Sequence, residues 1–198
     1  MKFKESQLAH KYLDGLYGVE IGGSAHNPFG LDTINVDYTD SMETVYKKME
    51  QEMLDTQPIT PGRPLAVDVV AEGDHLPFAD KSYDFVISSH VIEHFWDPIA
   101  ALKEWERVAR KYIYIIAPHK FRTFDWEREI TETQELVDRH EGRIIKPESA
   151  PKDHYSVWDT GSFLNFCKDM GYNVIAYQDV DDKVGNGFAI VISLEEEK

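Results

Sequence analysis

Several things are scarce in this chain of 198 residues, and each scarcity closes a possibility. There is one cysteine, Cys167, so an internal disulfide and an all-cysteine metal site are excluded; it reads as a small apolar residue on a helix. Basic residues are outnumbered, 21 Lys and Arg against 36 Asp and Glu, for a net charge of −15. A surface that acidic repels phosphate backbones, which argues against a nucleic-acid partner. No basic amphipathic stretch suits a membrane surface, and no apolar run approaches the length of a membrane span. The opening residues MKFKESQLAH lack the apolar core of a secretion signal, so a cytoplasmic location is expected. Neither G-x-G-x-x-G nor G-x-x-x-x-G-K-[ST] occurs, which leaves dinucleotide pyrophosphate and nucleoside triphosphate without their usual cradle. The compact ligand spacing H-E-x-x-H is missing too, and no metal is expected.

What is present is the composition of a folded domain, 42% hydrophobic with four tryptophans, and a single domain over 1–198 is expected. The segments 17–22, 32–37, 65–70, 83–88 and 111–117 are short and rich in β-branched or aromatic residues. They predict strands of a sheet covered on both faces, with Leu16, Tyr17, Val19 and Ile21 giving the first its buried pattern. Helical patterns lie between them. SMETVYKKMEQEML follows a cap at Asp40 or Ser41, with Glu43 placed for a capping box. Asp97-Pro98 opens a helix whose Ile99, Leu102, Trp105 and Val108 share one face. Thr131 and Gln134 fit a capping box. Asp159 caps another helix, with Trp158 and Phe163 as its hydrophobic staple and Gly171 as its stop.

The last two strands, near 172–180 and 187–194, are joined by VDDKVGNG, too short for a crossover, so they pair antiparallel. The expected fold is therefore α/β, a doubly wound Rossmann-like sheet of seven strands, mostly parallel, with one antiparallel strand in a C-terminal hairpin.

In such a sheet, ligands bind outside the carboxyl ends of the strands, near the point where strand order reverses. That rule selects Gly22, Gly23, Ser24 and His26 after the first strand, Asp37 at the end of the second, and VVAEGDHLPF after the third. It also selects Ser88, Ser89 and His90 after the fourth, and Pro118 and His119 after the fifth. A carboxylate at Asp37 suits the paired hydroxyls of a ribose, and a ribose without a phosphate cradle suggests a nucleoside cofactor carrying something else.

These residues resemble the class I S-adenosylmethionine-dependent methyltransferases, of the type 11-like kind. VEIGG is similar to that family's first motif, NVD at 35–37 to its ribose-binding acid, and LPFADKSYDFVISSHVIEHFWDPIAALKEWERV (76–108) to its most recognisable block. GGSAHNPFG, HKFRTFDWEREITETQELVDRH and DHYSVWDTGSFLNF look like a subgroup associated with glycosyltransferases of surface-polysaccharide pathways. The resemblance implies S-adenosyl-L-methionine as cofactor. It places Glu20, Gly22, Gly23 and Ser24 against the methionine part and Asp37 on the ribose. Asp68, Glu72, Gly73 and Asp74 fall near the adenine edge, and Ser89 and His90 flank the sulfonium. The loop departs from the family's glycines at Ser24 and His26.

Transfer to a hydroxyl needs a base as well as positioning, and histidine has the suitable pKa. His90, His119 and His154 stand where a base is useful, each against the plainer reading of a packed or capping histidine. His94 reads as structural, turning the chain into the helix capped by Asp97. Residues 120–157 form an insertion beside the active edge, a lid or an acceptor pocket, with Arg122, Asp125, Trp126 and Arg128 as candidates for a saccharide or other small acceptor. The alternative is a helical lid that packs Phe121, Phe124 and Trp126 on the body. Two other functions compete with methyl transfer to a small molecule or glycan, at oxygen. One is a binding or regulatory protein that keeps the fold without turnover. The other is a nicotinamide-dependent oxidoreductase, disfavoured by the missing glycine motif.

Overall fold

The computed structural model describes residues 6–23, 29–40, 67–148 and 154–195. The pattern SMETVYKKMEQEML with its cap candidate Ser41, the loop at 56–64, Ser24 and His26 fall outside them, whereas the other cap candidate, Asp40, is the last described residue before that segment. Seven strands form one sheet, β1 (Tyr17–Ile21), β2 (Asp32–Asp37), β3 (Val69–Val70), β4 (Tyr83–Ser89), β5 (Ala109–Pro118), β6 (Asn173–Gln178) and β7 (Gly187–Ser193), in the order β3-β2-β1-β4-β5-β7-β6. Pairing is parallel from β3 through β5, and β7 runs antiparallel to both β5 and β6.

Side chains alternate between two cores on opposite faces, as the period of a strand requires. Val86, Ile113, Ile115, Phe188 and Ile190 face one core, and Phe85, Ile87, Tyr114, Ile116 and Ala189 the other. Burial on both faces explains why β4, β5 and β7 read as continuous apolar runs. Tyr17, by contrast, is 42% exposed at the edge of β1.

The first core is covered by helices α2 (Pro98–Val108), α3 (Thr133–His140) and α4 (Thr160–Asp169). Asp97 Oδ1 accepts the Ala100 N–H at 2.9 Å with Pro98 at the first helical position, and Ile99, Leu102, Trp105 and Val108 are all buried. Asp159 and Ser162 close a capping box on α4, the Trp158 and Phe163 rings meet at 5.1 Å, and Gly171 stops the chain at φ 79°. The expected box at Thr131 and Gln134 does not form. Helix α3 starts from Glu132 without a side-chain cap, because Thr131 Oγ1 accepts the Val157 N–H at 3.0 Å and Gln134 bonds Asp138.

The second core is closed by α1 (Gln7–Leu13), which the sequence reading did not anticipate. It is tied down at its start: Ser6 Oγ accepts the Ala9 N–H and pairs with the Tyr114 hydroxyl, and Asp182 Oδ2 accepts the Leu8 N–H. Cys167 lies in the first core, where burial pushes its thiol up to about 12. It should therefore resist a thiol-specific reagent in the native protein and react only once unfolded. Rapid labelling of the folded chain would contradict that placement.

Candidate functional site

Strand order reverses between β1 and β4, and the loops beyond their carboxyl ends converge there. Gly22 follows β1 at φ 72°, and a Cβ on it would stand 2.7 Å from Val91. A Cβ on Gly23 would stand 2.8 Å from both Asn35 Oδ1 and the Glu20 carboxyl carbon, so neither glycine tolerates a side chain as built. Asp37 ends β2 nearly buried, and its Oδ1 accepts the Tyr38 N–H at 2.8 Å. Ser88 and Ser89 end β4 buried, and neither hydroxyl has a hydrogen-bond partner among the described residues. His90 follows at φ 56°, a left-handed conformation unusual outside glycine that clusters at functional sites. Burial holds its imidazole down to about 4, so it is neutral at physiological pH.

The loop after β3 comes to the same edge. Asp68 Oδ2 accepts the Asn35 N–H at 2.8 Å, which extends the pairing with β2. Gly73 is wedged between Ile21 and Phe95, and its carbonyl accepts the Trp105 indole N–H at 2.7 Å. Glu72 and Asp74, on either side, are exposed.

A residue the sequence reading missed stands beside Glu20. The link between β6 and β7 folds around Asp181, whose carboxylate accepts the N–H groups of Lys183, Val184, Gly185 and Gly187 at 2.6–3.1 Å. That wrap holds Lys183 buried, with its ammonium 3.6 Å from the centre of the Phe29 ring. Burial lowers Lys183 to about 8, against the pull of Glu20 and Asp181. Burial likewise raises Glu20, opposed by Lys183 and by the Thr33 hydroxyl at 3.4 Å. The acidic VDDKVGNG gave the turn, but no sequence signal says that its lysine points inward.

Beyond His90, a 3₁₀ turn at Ile92–His94 carries Glu93 inward, fully buried, and no other residue donates a hydrogen bond to either of its oxygens among the described residues. Its Oε1 lies 3.9 Å from His90 Nδ1, 3.7 Å from His94 Nε2 and 3.9 Å from His154 Nε2. Burial pushes its carboxyl up to about 8, against its own backbone N–H and with help from the Asp125 charge. His154 is oriented from behind by Asp125, Nδ1 to Oδ2 at 2.6 Å, and Asp125 is paired in turn with Arg128 at 2.7 Å. A carboxylate only accepts, so the neutral ring carries its proton on Nδ1 and its lone pair on Nε2.

His119 is placed differently. Its Nδ1 accepts the Phe121 N–H at 3.1 Å and caps the turn at Lys120–Arg122, which leaves the proton on Nε2. Burial, then Arg122, lowers its pKa. It offers a donor at the edge, whereas His90 and His154 share the Glu93 cluster.

The insertion is mostly turns. Phe121, Phe124 and Trp126 are 65%, 51% and 60% exposed, but the Phe124 ring lies 4.7 Å from that of His154 and the Phe121 ring 5.9 Å from that of His119, so two of the three lean on the site histidines. Arg122 pairs with Asp179. Arg128 lines a pocket of about 400 Å³ with Trp96, Glu129, Glu135, Arg139 and Tyr155. The Trp96 and Tyr155 rings meet edge to face at 5.6 Å, and the Arg139 guanidinium lies 4.4 Å over Trp96.

Residues 21–116 match the family model of a methyltransferase domain. No curated protein matches the chain. Among solved structures, an S-adenosylmethionine-dependent methyltransferase from Thermotoga maritima, described as a possible histamine N-methyltransferase, aligns with a TM-score of 0.59 at 17% identity, over 96% of this chain and 87% of that one. A methyltransferase of the same dependence from Methanosarcina mazei gives 0.56 at 14% identity, over 96% and 98%. One from Aquifex aeolicus gives 0.53 at 16%, over 98% and 90%. At such identities the likeness is one of fold, and it agrees with the methyltransferase-domain model matched over residues 21–116. Among the described residues, no helix is long and apolar enough to cross a membrane.

Proposed function

We propose that this enzyme methylates a hydroxyl of a small molecule or glycan, binding the cofactor across the β1–β4 switch point. The residues present suit that cofactor. Asp37 offers a buried carboxylate to the ribose, the hydroxyls of Ser88 and Ser89 are buried and lack partners among the described residues, and Gly73 is held at the adenine side by Trp105. Gly22, Gly23 and Glu20 line the methionine side, where Lys183 already shares the Glu20 charge. S-Adenosylmethionine supplies a methyl group on a sulfonium; the acceptor oxygen gains that methyl and loses its proton to the buried imidazole–carboxylate cluster. The observation that carries the choice of oxygen is that cluster: His154, backed by Asp125, directs its Nε2 lone pair into it beside His90.

The acceptor subsite is the pocket of Trp96 and Tyr155, joined to the cluster by Arg128, which bonds Asp125 Oδ1 at 2.7 Å and the His154 carbonyl at 2.9 Å. Aromatic edges among paired charges suit a polyhydroxylated ring, and the resemblance to methyltransferases of surface-polysaccharide pathways points the same way. The reading is tested by titrating the protein with S-adenosylmethionine and S-adenosylhomocysteine, then following methyl transfer to sugar hydroxyls and to amines. Transfer to amines alone would overturn the assignment to oxygen. Asp37→Ala is expected to weaken cofactor binding at least about tenfold, about 1.4 kcal/mol, by removing charged hydrogen bonds to the ribose. Unchanged affinity by calorimetry would reject that role.

A further inference from the structure

The surroundings of Glu93 contain an imbalance that the methyltransferase fold does not account for. A carboxylate with no solvent exposure meets the lone-pair nitrogen of His154 at 3.9 Å and a nitrogen of His94 at 3.7 Å. Both separations exceed hydrogen-bond length, and no side chain among the described residues donates to the carboxylate. Electron-rich atoms held face to face in a dry site repel unless a proton or a cation lies between them, and separations beyond hydrogen-bond length leave room for the larger of the two.

We infer that Glu93 Oε1, His94 Nε2 and His154 Nε2 bind one divalent d-block cation, such as Zn²⁺. One ligand atom from each of these three residues lies within 4.8 Å of the other two, and both imidazole Nε2 atoms are within 3.9 Å of Glu93 Oε1. Ligand atoms around a tetrahedral ion with bonds of about 2.0–2.2 Å stand about 3.4 Å apart, so each side chain closes by less than about 1 Å. Two imidazoles and one carboxylate form a borderline donor set of the kind such ions take while keeping a fourth position open. Asp125 completes the arrangement from behind. Its bond to His154 Nδ1 fixes the tautomer and strengthens the nitrogen facing the ion, the usual support of a metal-bound histidine. His94 stands on the solvent side, its side chain 46% exposed, which gives the ion an entry path. The ligands come from a 3₁₀ turn and from a loop some sixty residues later, so no short motif announces them.

Binding of the ion stands apart from methyl transfer; its role in the reaction rests on the function proposed above. There an ion held by Glu93, His94 and His154 would polarise the acceptor hydroxyl, and because it would occupy the His154 Nε2 lone pair the proton would pass to water, so His154 serves as base only in the metal-free protein.

The test uses full-length protein purified without nickel resin, stripped with chelator and titrated with Co²⁺. The expected result is one equivalent of cobalt with visible d–d bands, displaced by zinc. Glu93→Gln, His94→Ala and His154→Ala should each abolish those bands, and Asp125→Asn should weaken uptake roughly 10- to 100-fold. His10→Ala, remote from the cluster, should change nothing. Absence of stoichiometric uptake by the wild-type protein, or uptake unaltered in the His94 and His154 variants, overturns the site. Calorimetry with S-adenosylmethionine on stripped protein separates the two ideas: cobalt uptake without cofactor binding would leave the metal site standing and remove the proposed function.

Discussion

Trp105→Ala is expected to lose about 4 kcal/mol of folding stability, within the usual span for removing a large buried ring. The side chain is fully buried on α2 and contacts Phe95 edge to face at 6.1 Å. Burial is half of its role. The indole N–H donates to the Gly73 carbonyl at 2.7 Å, and Gly73 has no room for a Cβ between Ile21 and Phe95. Trp105→Phe separates the two effects. It keeps much of the packing and leaves that carbonyl without its donor, at a cost of about 1–3 kcal/mol. The phenylalanine variant should also bind S-adenosylmethionine more weakly, because the loop it releases carries the proposed adenine side of the site. Chemical denaturation and calorimetry on the same two variants check both statements. A phenylalanine variant as stable as the parent would show that the indole bond does not matter.

Asp181→Ala should cost a similar amount, about 3–5 kcal/mol, for a different reason. Four backbone N–H groups converge on this carboxylate, those of Lys183 and Val184 on one oxygen and those of Gly185 and Gly187 on the other. Their loss leaves donors in a link that also presents Asp182 to the start of α1 and buries Lys183. Asp181→Asn is the sharper variant. It removes no volume, yet its amide nitrogen must face two donors, and about 2 kcal/mol or more should be lost. Thermal unfolding of the asparagine variant at the parent's temperature would sink this account.

The parts of the fold written in local chemistry were legible in the sequence. Asp97-Pro98 and Asp159 cap helices because a side-chain oxygen meets a helix's first N–H groups wherever that pattern occurs. The antiparallel hairpin followed from a link too short to cross the sheet. Thr131 shows where such reasoning stops: its hydroxyl answers Val157, 26 residues away, rather than its own helix. Helix α1 escaped notice for the same cause, since Ser6 and Leu8 are held by Tyr114 and Asp182 far along the chain. In the site, the positions at strand ends could be named from topology alone. The inward turns of Lys183 and Glu93 could not, because each is buried by elements distant in sequence. His119 and His154 looked alike as histidines in loops, and only their Nδ1 partners, a backbone N–H and a carboxylate, tell them apart.

The place of β7 has a consequence for how the chain is made. Gly187–Ser193 follows every other strand of this sheet along the chain, yet it lies inside the sheet, pairing with β5 from Tyr112 to Pro118 and with β6 on its other side. Until it emerges, β5 presents an unpaired edge whose residues are apolar on both faces, the kind of surface that invites pairing with another chain. A nascent chain halted before Gly187 therefore has its cofactor edge specified but its sheet open.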